Sequence, residues 1–208
     1  MKPAVAVIDT KLGNLRSVVN ALEAIECRAT IARKPSETQD ASHIILPGVG
    51  TFGEGMQNLS QEGWIDHLHE EVLGRRKFFL GICLGMQLLG TTGFEHGHHQ
   101  GLDWIAGTVD RIQTHDPALR VPHVGWNTVT AVRPDPLWEG LGEGATFYFV
   151  HSYHLRPNSP QDALAICRHG SDLVVAIRRD NIMGVQFHPE KSQDDGLRLL
   201  RNFVSLPA

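Results

Sequence analysis

Apolar residues along the first half of the chain come in short runs, with helical spacing between them. Ala4-Val5-Ala6-Val7-Ile8 has the pattern of a strand buried on both faces, and it ends at Asp9. Gly13-Asn14 marks a turn and a helix cap, and Leu15, Val18, Val19, Leu22 and Ile25 then recur on one helical face. Residues 28–32 and 44–46 predict two more strands, the second running into Pro47-Gly48-Val49-Gly50. Helix-like segments follow to Leu73. Phe78-Phe79-Leu80-Gly81-Ile82 predicts another buried strand, and Leu84, Met86, Gln87, Leu88 and Leu89 after it favour a helix. Strands alternating with helices predict an α/β fold with a largely parallel central sheet and helices on both faces.

The second half changes character. Residues 107–112, 127–132, 146–153, 163–168, 173–178 and 182–187 predict six short strands. Turn residues separate them: Asp116-Pro117, Pro134-Asp135-Pro136, Pro157-Asn158-Ser159-Pro160 and Arg179-Asp180-Asn181. With no helices between, these strands predict antiparallel sheet added to the α/β core. A helix over 194–204 is expected at the end, apolar at Leu197, Leu200 and Val204, with Ser192 as N-cap and Asp195 three residues on. No linker-like stretch divides the chain, so residues 1–208 are expected to form one domain.

Composition narrows the function classes. The chain has 208 residues, 41% hydrophobic and 20% charged, with a net charge of −4. There is no basic excess for nucleic acid or an anionic membrane, and no apolar run near the ~18 residues of a membrane span. The opening residues do not read as a signal peptide. Cys27, Cys83 and Cys167 are odd in number and widely spaced, which fits no disulfide framework and points to a reducing cytoplasm.

Chemistry concentrates at three places. In Gly81-Ile82-Cys83-Leu84-Gly85 a cysteine stands where a strand meets a helix, with glycine two before and two after it. A nucleophile on a sharp strand-to-helix turn needs small flanking residues, and a helix start favours the thiolate. A buried cysteine between packing glycines has the same pattern, so both readings stand at this point. In Gly184-Val185-Gln186-Phe187-His188-Pro189-Glu190 an apolar strand delivers His188 to a sheet edge, and Glu190 is placed to fix its tautomer. A surface loop ahead of a helix is the plainer alternative. Pro47-Gly48-Val49-Gly50 offers backbone N–H groups for an oxyanion, or is a simple turn. The loop Phe94-Glu95-His96-Gly97-His98-His99 matches no common metal spacing and reads as a solvated loop, so no metal or other cofactor is expected.

Together these motifs resemble the class I (triad) glutamine amidotransferases, and within them the glutaminase subunits of imidazole glycerol phosphate synthase. The subtype marks are Leu46-Pro47-Gly48-Val49-Gly50, Val121-Pro122-His123-Val124-Gly125-Trp126-Asn127, Tyr148-Phe149-Val150-His151-Ser152-Tyr153 and His188-Pro189-Glu190-Lys191-Ser192, with Gly13-Asn14-Leu15-Arg16-Ser17 near the start. The resemblance runs nearly end to end. It departs at Thr10, where relatives often carry an aromatic residue, and in the His- and Gly-rich loop 90–101. It implies a flavodoxin-like core and a Cys83–His188–Glu190 triad that hydrolyses glutamine to glutamate and ammonia. It further implies an oxyanion site at Val49, Gly50 and Leu84, with glutamine held by Gln87, Glu95, His151, Ser152 and Tyr153. The implied partner is a (β/α)8-barrel cyclase subunit in a heterodimer. It would meet Asn14, Arg16, Trp126, Asn127, Tyr148 and Lys191 and use the ammonia in histidine biosynthesis. A tryptophan at position 126 suits an interface anchor or a core position equally.

Overall fold

The apolar runs become β1 (Ala4–Ile8), β2 (Arg28–Ala32), β3 (His43–Gly48) and β4 (Phe78–Cys83) in a computed structural model that describes residues 4–114, 116 and 118–207. Between them lie α1 (Leu15–Ala24), α2 (Phe52–Gln61) and α3 (Trp64–Leu68), the last continuing into a π-helical turn, His69–Gly74. After β4 come a single helical turn, α4 (Leu84–Gln87), and two short strands, β5 (Thr92–Gly93) and β6 (His99–Gln100). The second half holds β7 (Gly107–Arg111), β8 (His123–Thr128), β9 (Thr130–Ala131), β10 (Thr146–His151), β11 (Tyr153–Pro157), β12 (Ala163–His169), β13 (Ser171–Arg179) and β14 (Ile182–Val185), and α5 (Gln193–Val204) follows. Of the expected turn Asp116-Pro117, Pro117 lies outside the described residues.

The main sheet runs in the order β2-β1-β3-β4-β14-β13-β12-β9. Its first five strands are parallel neighbours and the remaining pairs are antiparallel. The parallel part therefore has the flavodoxin-like arrangement, in which ligands sit beyond the carboxyl ends of the strands. Its inner strands β1, β3, β4 and β14 are buried and almost wholly apolar because each face is covered, whereas Arg28 and Thr30 of the edge strand β2 are exposed. Val5, Val7, Ile45, Leu80 and Ile82 pack against α1 and α5 through Val18, Leu22, Leu199 and Phe203. The alternating positions Ala6, Ile8, Ile44, Leu46 and Phe79 face Phe52, Leu59, Trp64 and Leu68.

Two smaller sheets stand beside this core, a β10-β8 ribbon and the sheet β11-β7-β5-β6. Here the structure differs from the sequence pattern. The strand expected over 127–132 begins earlier and breaks at Val129, whose N–H turns to Ala145 O at 3.0 Å. The strand expected over 146–153 breaks at Ser152, so β10 and β11 belong to different sheets. No glycine or proline marks either break; tertiary pairing sets them. The capping box at the last helix also takes another role. Ser192 Oγ donates to His188 O (2.6 Å) and accepts from Tyr148 N, while Asp195 accepts from Thr146 N (2.8 Å). Both side chains hold β10 instead of capping α5.

Candidate active site

Cys83 ends β4 with φ 55° and ψ −108°, a conformation that costs an L-residue strain. The flanking glycines are required by backbone contact. A Cβ at Gly81 would lie 2.4 Å from Gly85 O, and one at Gly85 would lie 1.8 Å from Leu46 O. The chain therefore folds back on itself across the cysteine, which favours the elbow over a packed core thiol. The helix after it is a single turn, so the macrodipole expected to favour a thiolate is small.

His188 comes from the neighbouring strand. Val185 pairs with Ile82 in the parallel β14–β4 register, which brings the residues beyond it to the carboxyl end of β4. The backbone of His188 is pinned on both sides: its N–H donates to Tyr148 O (2.9 Å) and its carbonyl accepts from Lys191 N (3.0 Å). Nδ1 of the buried imidazole donates to Glu190 Oε1 at 2.7 Å, which leaves Nε2 for the cysteine. Burial opposes a proton on this ring, but hydrogen bonding to Cys83 and Glu190, together with their negative charge, outweighs it and pushes the imidazole up to about 9. The contact at Nε2 falls short of full hydrogen-bond geometry, as such contacts commonly do before substrate tightens them.

A pocket of about 290 Å³ opens over the sulfur. Val49, Gly50 and Leu84 line it together with Gln87, Glu95, His151, Ser152 and Tyr153. Cys83, the loop and helix-start residues expected at the oxyanion and the residues expected to hold glutamine thus line one crevice, whereas His188 and Glu190 are not part of its lining. Two of the lining residues also serve the fold. Glu95 accepts from Phe52 N, the first amide of α2, at 2.9 Å. Gln87 spends both amide hydrogens internally, on Tyr153 O (2.9 Å) and Gln186 Oε1 (3.0 Å).

Gln186 was not singled out by sequence. It is fully buried and its amide donates to Cys83 Sγ at 3.7 Å. The available signal was a polar residue inside the apolar run that leads to His188. Pro122 and Val150 also line the pocket.

The residues assigned to a partner surface divide into two sets. Trp126 is 48% exposed, which excludes the core alternative, and its ring meets Tyr148 edge to face at 6.1 Å. Lys191 is exposed and places Nζ 5.8 Å from the Tyr148 ring centroid. Asn14 and Arg16 are exposed at the start of α1, where Asn14 accepts from Ser17 N as a cap. Asn127 faces the other way, its amide donating to Arg168 O (2.9 Å) and to the His123 ring. Among the described residues, no cluster of His, Cys, Asp and Glu side chains could hold a metal ion. No helix among them is long and apolar enough to cross a membrane.

The family model described as glutamine amidotransferase class-I matches residues 6–206. The chain is 45% identical over 210 residues to the imidazole glycerol phosphate synthase subunit HisH of Rhodospirillum rubrum, covering 96% of this chain and 97% of that one. It is 44% identical over 202 residues to subunit HisH 1 of Campylobacter jejuni, covering 97% of this chain and all of that one. Among solved structures, a glutamine amidotransferase superposes with TM-score 0.75 at 22% identity, with 97% of each chain covered. PurLQS from Thermotoga maritima also superposes with TM-score 0.75, at 17% identity and 98% coverage of each chain. The likeness to these two is one of fold.

Proposed function

The chain belongs to the class I glutamine amidotransferase family and to its HisH branch, and from that premise we propose that it is the glutaminase subunit of an imidazole glycerol phosphate synthase. The observation that carries the reading is Cys83, held at φ 55° on a glycine-flanked elbow and facing the His188–Glu190 pair at the end of the next strand. In this reading the Cys83 sulfur attacks the side-chain carbonyl carbon of glutamine. Backbone N–H groups of Leu84 and of Val49 or Gly50 stabilise the oxyanion. The C–N bond breaks as His188 gives its proton to the leaving nitrogen, so ammonia departs and a γ-glutamyl thioester remains. His188, again a base, takes a proton from water. Attack of that water on the thioester releases glutamate and restores the sulfur. Glu190 keeps Nδ1–H pointed away from the sulfur, so Nε2 always faces the reaction.

The pocket of about 290 Å³ suits a substrate of amino-acid size. Glu95 supplies an acceptor for the substrate ammonium, and the His151–Tyr153 strand supplies polar backbone for its other end. Ammonia then passes to a cyclase subunit docked on the face that carries Trp126, Tyr148 and Lys191, in a heterodimer serving histidine biosynthesis. The test is glutamate release from glutamine by the chain alone and with a cyclase subunit and its nucleotide ligand. Release in the complex is expected, with far less from the chain alone, because the Gly-rich loop 47–50 needs a partner to fix its N–H groups. A folded complex that releases none would overturn the reading.

A further inference from the structure

Behind the pocket, two buried histidines sit directly opposite each other on the ribbon, where β8 and β10 pair His123 with His151. Phe149 stacks on one side of the His123 ring (4.6 Å between centroids) and His169 on the other (4.2 Å). The hydrogen bonds through this pair have a forced direction. His151 Nδ1 lies 2.9 Å from Tyr153 O, and a carbonyl only accepts, so Nδ1 carries the proton. Nε2 of a neutral His151 is then an acceptor, and His123 Nδ1, 3.0 Å away, must donate to it. His123 Nε2 accepts in turn from the Asn127 amide at 3.2 Å. Burial, above all, holds both rings neutral, His123 at about 4 and His151 at about 3; neighbouring imidazoles add to it, and the bond to Tyr153 O opposes it at His151. The titratable groups acting on them are His169 on both rings, with His123 and His154 also acting on His151.

The chain of bonds does not stop at the ribbon. Tyr153 O accepts a second bond from Gln87, whose other amide hydrogen goes to Gln186, and Gln186 reaches the Cys83 sulfur. Because His151 and Gln87 both donate to Tyr153 O, the path cannot relay a proton. It can only fix positions. Ser152, in the middle of the segment so fixed, is where the chain crosses from one small sheet to the other, and its carbonyl accepts from Ile112 N at 2.8 Å.

We propose that His123 and Asn127 are positioning residues for the glutamine pocket, holding the His151–Tyr153 segment and, through the Tyr153 carbonyl, Gln87 and Gln186 behind the sulfur. The assignment rests on the glutaminase reading above for its kinetic consequence, but not for its geometry. On β8 the inward residues His123 and Asn127 alternate with the exposed Val124 and Trp126, so a partner seated on Trp126 bears on the strand that carries them.

Nitrogen-detected imidazole NMR of the whole chain tests the geometry. Both rings are expected as the neutral Nδ1–H tautomer from pH 5.5 to 8. Either ring in the Nε2–H tautomer, or titrating near 6.5, would overturn the assignment whatever the chain catalyses. Steady-state kinetics with the cyclase subunit test the consequence. His123→Leu is expected to raise the glutamine KM about tenfold while kcat changes less, the size of one lost buried hydrogen bond. His123→Asn keeps an N–H near the Nδ1 position and should recover most of that loss. Asn127→Ala, at the half-exposed end of the chain, gives a milder KM defect and serves if His123→Leu fails to fold. A folded His123→Leu or Asn127→Ala with unchanged KM would sink the proposal. A wild-type complex that made no glutamate would instead sink the glutaminase reading and leave the NMR result standing.

Discussion

Cys83 departs from ordinary backbone geometry where its sulfur is presented, at φ 55° and ψ −108°. Such a conformation costs about 1–3 kcal/mol in a residue with a Cβ, and the neighbouring strands β3 and β14 hold it there. Removing the sulfur therefore separates chemistry from strain. On the proposed function, Cys83→Ala should abolish glutamate release while ammonium salts still support synthesis by the complex, because in that mechanism the nucleophile serves only to make ammonia. Cys83→Gly should be equally inactive yet melt at a higher temperature than Cys83→Ala, by about 1 kcal/mol of relieved strain. Equal melting of the two would show the elbow to be unstrained. His188→Ala should approach Cys83→Ala in severity, since nucleophile and base act as a unit. Glu190→Gln should be milder, because the backbone bonds to Tyr148 O and from Lys191 N still place the ring. A Glu190 variant worse than the cysteine variant would contradict these roles.

At the scale of elements, the elbow depends on helix α4 approaching the sheet closely enough to touch backbone. A methyl at Gly85 would overlap Leu46 O on β3, so Gly85→Ala must push β3 and α4 apart. We expect a loss of at least ~2 kcal/mol in urea unfolding, together with loss of glutaminase activity. Gly142→Ala, where a Cβ meets nothing within 4 Å, is the matched control. This contact was legible in sequence only as glycines at the right spacing, whereas the strands feeding it were plain. β1, β3 and β4 are short runs, almost wholly apolar, rich in β-branched or aromatic residues, the pattern of a strand buried on both faces. The breaks at Val129 and Ser152 could not be read, because they depend on partners far along the chain: Ala145 O receives Val129 N, and Ser152 O receives Ile112 N. The short strands β5 and β6 were missed for a related reason. Two residues each, in a His- and Gly-rich loop, carry no periodicity. At the site, Cys83, His188 and Glu190 stood out by motif, but the buried bond from Gln186 to the sulfur needed the register of β14 against β4.

For the molecule as a whole, buried imidazoles set the pH dependence of stability and, on the proposed function, the route of ammonia sets where a partner sits. His43, His123, His151 and His154 are held low, at about 4, 4, 3 and 4, each chiefly by burial. Their unfolded forms titrate near 6.5, so the stability they confer is complete above that value and is lost as pH falls toward 4. His188 has the opposite sign. Raised to about 9, it stabilises fully below about 6.5, and that contribution is lost as pH rises through 9. Stability should peak near neutrality, and unfolding at pH 5 should take up about three to four protons from these groups. Calorimetry in buffers of different ionisation enthalpy measures the uptake, and His188→Gln should flatten only the alkaline limb. The partner surface follows from the fate of the product. Ammonia released to neutral water is protonated and no longer nucleophilic, so a synthase that uses it needs a closed joint at the pocket mouth. Lys191 follows Glu190 directly, is exposed, and lies over the Tyr148 ring beside Trp126. Among the described residues, no carboxylate forms an ion pair with it. A cation without a counterion on this face suits an acidic residue on the partner, and steering of that kind sets association rate and register more than raw affinity. Lys191→Glu should weaken the complex and raise the glutamate made per imidazole product, as ammonia leaks from a poorly sealed joint. Unchanged affinity together with unchanged stoichiometry would move the interface off this face, while the chemistry assigned to Cys83 and His188 would stand on its own geometry.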